Sequence, residues 1–274
     1  MQHLTKYFRP FFKPSLIPSF RFFLPLLVAL VLPGKALWAA DIHVMTSGGF
    51  TAAYNQLVPE FERATGHKVI TAYGASMGNA PDAIPNRLAR KERVDVVILA
   101  APALEDLVKQ GKVAPGSQVD LVRSLIGMSV RSGAPKPDIG SVDALRRTLL
   151  NAQSIAYSAS ASGVYISTEL YQRLGIADQV AGKSKRILSE RVGAVVARGE
   201  AELGFQQVSE LLPVPGVDYV GPLPAEVQRV TVFSAGIAAD AAEPDAAKAL
   251  IRFFTSAAAA PVITQTGLEP ITRP

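Results

Sequence analysis

Three short segments of the sequence combine serine and glycine at the junction between an apolar run and a helix-type pattern. They are residues 46–49, 75–78 and 158–163. Glycine lets the backbone approach a ligand closely, the first N–H groups of a helix are free to bind an anion, and serine hydroxyls add further donors. The same residue types also cap helices and form turns without binding anything. Because three such segments recur, we predict an anion-binding site built from neutral hydrogen-bond donors.

The residues of these segments are the first candidates for ligand contacts. They are Ser47, Gly48, Gly49, Ser76, Met77, Ser160 and Ser162. Arg191 is a further candidate, because a guanidinium can bind a carboxylate through two parallel hydrogen bonds. An exposed arginine that simply neighbours Glu190 is the alternative interpretation.

Side chains with the spacing of a metal site are missing from the sequence. The chain has no cysteine, and His43 and His67 do not form a pair with metal-ligand spacing. No phosphate-binding loop is present, and no histidine follows Ser162, which argues against serine hydrolase chemistry. We therefore predict no metal and no cofactor, and the sequence assigns no catalytic residue.

The apolar pattern alternates short β-type runs with helical repeats from Asp41 onward. Alternating or near-continuous apolar runs predict strands, and apolar residues at helical spacing predict the helices between them. The predicted strands cover residues 42–45, 68–73, 94–99, 126–130, 154–157, 203–206 and 230–237. This order of elements indicates parallel sheets flanked by helices.

We expect an α/β fold with two doubly wound lobes joined by two crossing strands. Residues 41–131 and 228–274 would form the first lobe, and residues 132–227 the second. Because open α/β sheets bind ligands at the carboxyl ends of their strands, both lobes would direct serine–glycine turns into a cleft between them. We expect the protein to act as a monomer.

Positive charge is concentrated at the N-terminus of the 274-residue chain, whose net charge is +5. Five of the 28 basic residues and no acidic residue lie in the first 40 positions, so 23 of each remain. The neutral remainder predicts no nucleic-acid partner. A basic stretch, an apolar core too short to span a bilayer, and small residues at Ala39 and Ala40 predict that residues 1–40 are a cleaved signal peptide and that the protein is periplasmic. An uncleaved membrane anchor is the alternative.

A series of motifs appears in the order of a known family. It comprises the opening strand, turn and helix, the segment 87–100, Ser-Gly-Val-Tyr at 162–165, Gly-Glu-Ala-Glu-Leu-Gly-Phe at 199–205, and Thr-Gly-Leu-Glu-Pro at 266–270. In these motifs the chain resembles the type II periplasmic solute-binding proteins, specifically the molybdate-binding branch of ABC importer receptors. The resemblance implies the type II periplasmic binding protein fold, a small anionic ligand and an ABC permease as partner.

Matched position by position, the resemblance implies further site residues. It assigns the family's second-turn serine to Ser76 and backbone N–H donors to Ser162 and to a position near Ser189. Gly49 and Gln207 stand where the family has a serine and a tyrosine hydroxyl. The loss of these two hydroxyls favours a ligand with carboxylates over molybdate itself.

Two functions follow from the resemblance. The first is a periplasmic solute-binding protein that captures a small oxyanion or organic carboxylate between its lobes for an ABC importer. The alternative is an aconitate isomerase-like enzyme on the same fold, acting on small unsaturated tricarboxylates, because such an enzyme resembles this same family. It would need a base that moves an allylic proton. Glu190, Tyr165 and a perturbed serine network are all conceivable bases, and the sequence does not decide among them.

Overall fold

Two mixed β-sheets and their flanking helices make up the part of the chain that the computed structural model describes, residues 39–271. The predicted signal peptide therefore lies outside the described residues, apart from Ala39 and Ala40. Within residues 39–271, no helix has both the length and the apolar character needed to cross a membrane.

The first sheet has six strands. They are β1 (Asp41–Ser47), β2 (Lys68–Gly74), β3 (Val96–Ala100), β4 (Val119–Ser124), β10 (Thr231–Ile237) and β11 (Glu269–Pro270). Their order is β11-β4-β10-β3-β1-β2, with β1 parallel to β2 and β3, and β10 antiparallel to β3 and β4. Every residue of β3 is buried, as its continuous apolar run predicts for a strand with both faces covered.

Five helices pack on the first sheet. They are α1 (Gly48–Thr65), α2 (Ile84–Ala89), α3 (Ala101–Lys109), α10 (Pro244–Phe254) and α11 (Ala260–Gln265). The apolar face that the sequence predicts for α1 is buried, including Phe50, Tyr54 and Phe61. The ring of Phe254 from α10 packs edge-on against Phe50 at a centroid distance of 5.3 Å. This core fixes the N-terminus of α1 at the end of β1.

The second sheet has five strands, in the order β7-β6-β8-β5-β9. They are β5 (Ile126–Arg131), β6 (Ile155–Ser158), β7 (Ser184–Ile187), β8 (Leu203–Gln207) and β9 (Val217–Pro222). Strand β6 is parallel to β7 and β8, whereas β5 is antiparallel to β8 and β9. Its helices are α4 (Val142–Asn151), α5 (Ala161–Tyr165), α6 (Tyr171–Arg173), α7 (Ala177–Ala181), α8 (Val192–Ala197) and α9 (Val208–Leu211), with a π-helical turn Ile166–Leu170 joining α5 to α6.

The chain passes between the sheets twice, at Leu125 and along residues 223–230. The side-chain amide of Gln228 connects these two passages, because it accepts from the N–H of Ile126 at 3.0 Å and donates to the carbonyl of Ile126 at 2.9 Å. The division of the chain into lobes at 131/132 and 227/228 stays a prediction. The strand pairing itself changes from the first sheet to the second at Leu125, since β5 pairs with β8 and β9.

All seven predicted strands are present, and four further strands were not predicted: β4, β7, β9 and β11. Strand β4 contains the charged residues Asp120 and Arg123, and β7 is the polar sequence Ser-Lys-Arg-Ile at a sheet edge. Strand β7 has one buried residue and β9 has none, so neither shows the apolar pattern from which strands are predicted.

A fully buried carboxylate, Asp95, connects the start of β3 to two other elements. Its Oδ2 accepts from the N–H of His43 in β1 at 2.8 Å. Its Oδ1 accepts from the N–H groups of Ala242 and Glu243, just before α10, at 2.7 and 3.0 Å. These bonds compensate the cost of burying the charge, and they position α10 against the sheet.

We predict that Asp95→Ala lowers the free energy of unfolding by at least about 3 kcal/mol, because three backbone N–H groups lose their acceptor. Urea unfolding would measure the change. The matched control is Asp106→Ala on the exposed surface of α3, where we expect a change within about 0.5 kcal/mol. A loss of less than about 1 kcal/mol for Asp95→Ala would contradict the role given to this carboxylate.

Candidate functional site

A polar cavity of about 380 Å³ lies where the ends of β1, β2, β6 and β8 face one another. Nine of the ten predicted site residues line it: Ser47, Gly48, Gly49, Ser76, Ser160, Ser162, Ser189, Arg191 and Gln207. The exception is Met77, which is not among the lining residues and packs against the apolar clusters of the first sheet. The structure thus brings the predicted turns together, and their role in binding stays a prediction.

Ser47 ends β1 and precedes the first turn of the 18-residue helix α1. Its side chain is only 1% exposed, and its hydroxyl has no hydrogen-bond partner among the described residues. Buried polar atoms in proteins nearly always have a partner. A hydroxyl without one, beside the N–H groups that begin a long helix, is suited to a ligand oxygen.

Ser76 connects the first sheet to the second across the cavity. Its Oγ accepts from the N–H of Ala100 at 2.9 Å, and its N–H donates to the Oγ of Ser160 at 3.2 Å. The hydroxyl proton of Ser76 is therefore left to donate into the cavity. Although Ser76 stands in a Gly-x-Ser-x-Gly spacing, no histidine is among the described lining residues, so a serine–histidine pair is not formed.

The turn after β6 is held together by its own hydroxyls. The Oγ atoms of Ser158 and Ser162 are 3.1 Å apart, and the N–H of Ser160 donates to the Oγ of Ser158 at 3.3 Å. A Cβ atom at Gly163 would lie 1.6 Å from the carbonyl oxygen of Ser158, so only glycine fits there. These contacts fix the direction in which the turn presents its donors.

Gln207 ends β8 and bonds across to the first sheet. Its Nε2 donates to the Oγ1 of Thr231 in β10 at 3.0 Å, while its Oε1 is buried and has no partner among the described residues. An acceptor of this kind repels a fully ionised oxyanion and accepts from a hydroxyl or a protonated carboxyl group.

Arg191 and Ser189 lie on the segment between β7 and α8. Glu190, the sequence neighbour of Arg191, instead forms an ion pair with Arg198 at 3.0 Å. No ion pair among the described residues includes Arg191, so its guanidinium is available to the cavity. The hydroxyl of Ser189 donates to Oδ1 of Asp82 at 3.4 Å, a second contact across the cavity.

Glu210 is a lining residue that the sequence analysis missed. Its Oε1 accepts from Nε2 of Gln206 at 2.8 Å, and its carboxyl faces the first residue of α1 so closely that a Cβ at Gly48 would lie 1.9 Å from Oε1. Burial raises the pKa of Glu210 to about 7, although the charge of Arg191 and the hydrogen bonds from Gln206 and the Gln207 backbone oppose the rise. The only signal in the sequence is the spacing Gln206-x-x-x-Glu210 after a predicted strand.

The other candidate bases named from the sequence are less suited to proton transfer. The hydroxyl of Tyr165 donates to the carbonyl of Val227 at 2.6 Å and is not among the cavity-lining residues. Glu190 lines the cavity, but its carboxylate is paired with Arg198. Residues 39–271 contain no cluster of three or more histidine, aspartate or glutamate side chains that could hold a metal ion.

The two mixed sheets, whose strand ends face one polar cavity, have the type II periplasmic binding protein fold. The chain belongs to the family of bacterial extracellular solute-binding proteins, whose family model matches residues 42–269. The predicted fold class and the resemblance to this family are therefore confirmed.

Two curated relatives are similar to this chain, one named as an enzyme and the other as a binding protein. It is 48% identical over 247 residues to an aconitate isomerase from Pseudomonas sp, covering 89% of this chain and 94% of the relative. It is 29% identical over 181 residues to the molybdate-binding protein ModA of Azotobacter vinelandii, covering 64% of this chain and 68% of the relative.

Solved structures with the same fold include binding proteins for inorganic anions. The periplasmic molybdate-binding protein of Azotobacter vinelandii superposes with a TM-score of 0.69 at 22% identity, covering 85% of this chain and 100% of that chain. The sulfate-binding protein SubI from Mycobacterium tuberculosis superposes with a TM-score of 0.68 at 20% identity, covering 85% of this chain and 87% of that chain.

We predict that Glu210→Gln makes the ligand-free protein more stable than wild type at pH 8 but not at pH 5. A carboxyl whose pKa is raised on folding contributes stability at low pH, and this contribution is lost as the pH rises through about 7. The expected difference at pH 8 is roughly 2 kcal/mol, reduced from the full shift because the side chain is only partly buried.

Urea unfolding of both proteins at the two pH values would measure this effect. Glu105→Gln on the exposed surface of α3 is the control, and it should differ from wild type by the same small amount at both pH values. Equal stability of wild type and Glu210→Gln at pH 8 would show that folding does not raise the pKa of Glu210.

Proposed function

We propose that the protein binds a small unsaturated tricarboxylate in the cavity and isomerises it by an allylic proton shift, as an aconitate isomerase. The observation that carries the proposal is the set of groups lining the cavity: neutral donors on three turns, the guanidinium of Arg191, which forms no ion pair within residues 39–271, and the buried acceptor of Gln207. This set fits several planar carboxyl groups better than one tetrahedral oxyanion.

Each kind of group has a distinct partner on such a substrate. Ser47 and Ser76 offer hydroxyl donors to carboxylate oxygens, and Arg191 can bind a carboxylate through two parallel hydrogen bonds. Gln207 Oε1 accepts from a carboxyl group that keeps its proton. A volume of about 380 Å³ is in the range of pockets for small organic ligands and exceeds what a tetrahedral oxyanion fills.

The relative with 48% identity supports an enzymatic function, because its similarity extends over nearly all of both chains.

In the proposed reaction, a base takes a proton from the methylene carbon next to the double bond, and the electron pair is delocalised into the allylic system. The proton then returns at the far end of that system, so that the double bond moves and its geometry changes. The composition of the substrate is unchanged, and the reaction needs no redox partner.

The cavity supports the transition state of this reaction through its fixed donors. Negative charge develops on the carboxylate conjugated with the allylic anion, and the lining hydroxyls, the N–H groups at the start of α1 and Arg191 would stabilise it. The hydroxyl of Ser76 is held by the N–H of Ala100, and the turn after β6 is held by the contact between Ser158 and Ser162, so these donors need little reorganisation when the charge forms.

A receptor function is the second candidate, and the unpartnered hydroxyl of Ser47 at the start of α1 favours it. Such a site could hold an anion without acting on it, as the names of the molybdate- and sulfate-binding structures indicate for those proteins. In that case the protein would be exported to the periplasm and would deliver its ligand to an ABC permease.

Incubation of the protein with trans-aconitate separates the two candidates. We expect cis-aconitate to form, detected by NMR, and we expect calorimetric titration to show that molybdate and sulfate bind at least a hundredfold more weakly than trans-aconitate. A control without protein measures the spontaneous rate. Submicromolar binding of molybdate together with no conversion of trans-aconitate would establish the receptor and exclude the isomerase.

We predict that Ser47→Ala weakens the binding of trans-aconitate by about ten- to a hundredfold, because a charge-assisted hydrogen bond is lost. Stability should change little, since this hydroxyl has no partner within the described protein. The matched control is Ser124→Ala: Ser124 is equally buried and equally unpartnered but is not among the cavity-lining residues. If both variants bind trans-aconitate as wild type does, Ser47 is not a ligand contact.

A further inference from the structure

The proposed isomerisation requires one group that takes a proton from carbon and one that gives it back. Five residues lining the cavity have side chains that titrate or carry charge: Tyr73, Asp82, Glu190, Arg191 and Glu210. We propose that Glu210 performs both steps and is the acid–base catalytic residue of this site, with Gln206 as the residue that positions it. This inference rests on the proposed function.

Each of the other four lining residues makes a contact of its own or lacks an atom that could accept a proton. Tyr73 is 48% exposed, and its hydroxyl donates to Oδ1 of Asn55 at 2.8 Å. Asp82 accepts from Ser189, and Glu190 is paired with Arg198. Arg191 has a guanidinium, which offers donors and no acceptor, so it can bind a substrate carboxylate but cannot act as a base.

The position of Glu210 places it beside the substrate. Its carboxyl lies directly against the backbone of Gly48, which begins α1, and this approach is possible only because Gly48 has no Cβ. The unpartnered hydroxyl of Ser47 lies one residue earlier in the same turn. A carboxylate bound by this turn would therefore hold the neighbouring methylene carbon within reach of Glu210.

The surroundings of Glu210 act on its pKa in opposite directions. Burial between α9 and α1 disfavours the ionised form and raises the pKa to about 7. The charge of Arg191 and the hydrogen bonds from Gln206 and from the backbone of Gln207 act in the opposite direction. The acidic groups of Asp82 and Glu190 line the same cavity. A general acid–base group is most effective when its pKa lies near the working pH, because it must both accept and release a proton.

One carboxyl group is sufficient for the whole reaction. In the first step a C–H bond of the substrate methylene breaks and an O–H bond forms on Glu210, while the electron pair enters the allylic system. In the second step an O–H bond of Glu210 breaks and a C–H bond forms at the other end of the same system. The carboxyl hydrogen exchanges with water between the two steps, so in D₂O part of the hydrogen returned to carbon is deuterium. Glu210 acts on both carbons from the same face of the substrate. It ends the cycle ionised, as it began.

Gln206 is fixed at both ends of its amide. Its Oε1 accepts from the N–H of Val192 at the start of α8, at 3.0 Å, and its Nε2 donates to Glu210. Because both ends of the Gln206 amide are bonded, its Nε2 holds Oε1 of Glu210 in one position and stabilises the ionised form of Glu210. Loss of this donor should raise the pKa of Glu210 and move the rising limb of the pH–rate profile to higher pH.

The test compares Glu210→Gln, Glu210→Asp and Gln206→Met with wild type and with the exposed control Glu105→Gln. Three quantities are measured: turnover of trans-aconitate, its binding by calorimetry, and incorporation of deuterium from D₂O into the substrate by NMR. We expect Glu210→Gln to lose about a hundred- to ten-thousandfold in turnover and to lose deuterium incorporation, while it still binds trans-aconitate. Glu210→Asp should restore part of the turnover, and Glu105→Gln should equal wild type.

Gln206→Met should shift the rising limb of the pH–rate profile upward and keep most of the turnover at high pH, which a purely structural defect would not do. Turnover of Glu210→Gln within tenfold of wild type would overturn the assignment and leave the proposed function standing. Loss of trans-aconitate binding together with turnover in Glu210→Gln would make Glu210 a binding residue and would also overturn it. If wild type neither converts trans-aconitate nor incorporates deuterium, the proposed function and this inference both fail.

Discussion

Within residues 39–271, the arrangement of the protein depends on how the two β-sheets are joined by two passages of the chain. The amide of Gln228 bonds to both the N–H and the carbonyl of Ile126, so the returning passage is tied to the outgoing one. A second amide, that of Gln207, bonds from the second sheet to Thr231 in the first. With the two sheets held in this way, the ends of β1 and β2 face the ends of β6 and β8, and the cavity between them follows from that arrangement.

The cavity combines two requirements that oppose each other. Binding an anion calls for donors and positive charge, which the turns and Arg191 provide. Moving a proton calls for a carboxyl group, which would repel the same anion if it were fully ionised. Burial against α1 resolves this conflict, because it raises the pKa of Glu210 to about 7 and so reduces its charge at neutral pH. In the proposed reaction, the site therefore holds an anionic substrate beside a group that moves its proton.

The same constraint explains how one fold can serve both receptors and enzymes. Serine–glycine turns at strand ends supply oriented donors whether the bound anion is delivered elsewhere or transformed. In the function proposed for this protein, a titratable group lies inside the donor set. In this protein that placement needs little: one glutamate on the short helix α9, a glycine at the start of α1 to make room for it, and a glutamine that holds it.

Sequence patterns alone determined the fold class and the three turns, because both depend on local rules. Continuous apolar runs such as β3 and the helical face of α1 can be read directly from residue order, and serine–glycine turns have a recognisable composition. Strands β7 and β9 could not be found in this way, since β7 has a single buried residue and β9 has none. The sequence analysis also missed Glu210, because its local sequence is typical of an ordinary surface helix. Only the tertiary structure brings it against Gly48, more than 150 positions earlier in the chain. Its pKa and its contact with the cavity arise from burial between elements distant in sequence, and no pattern within either element encodes them.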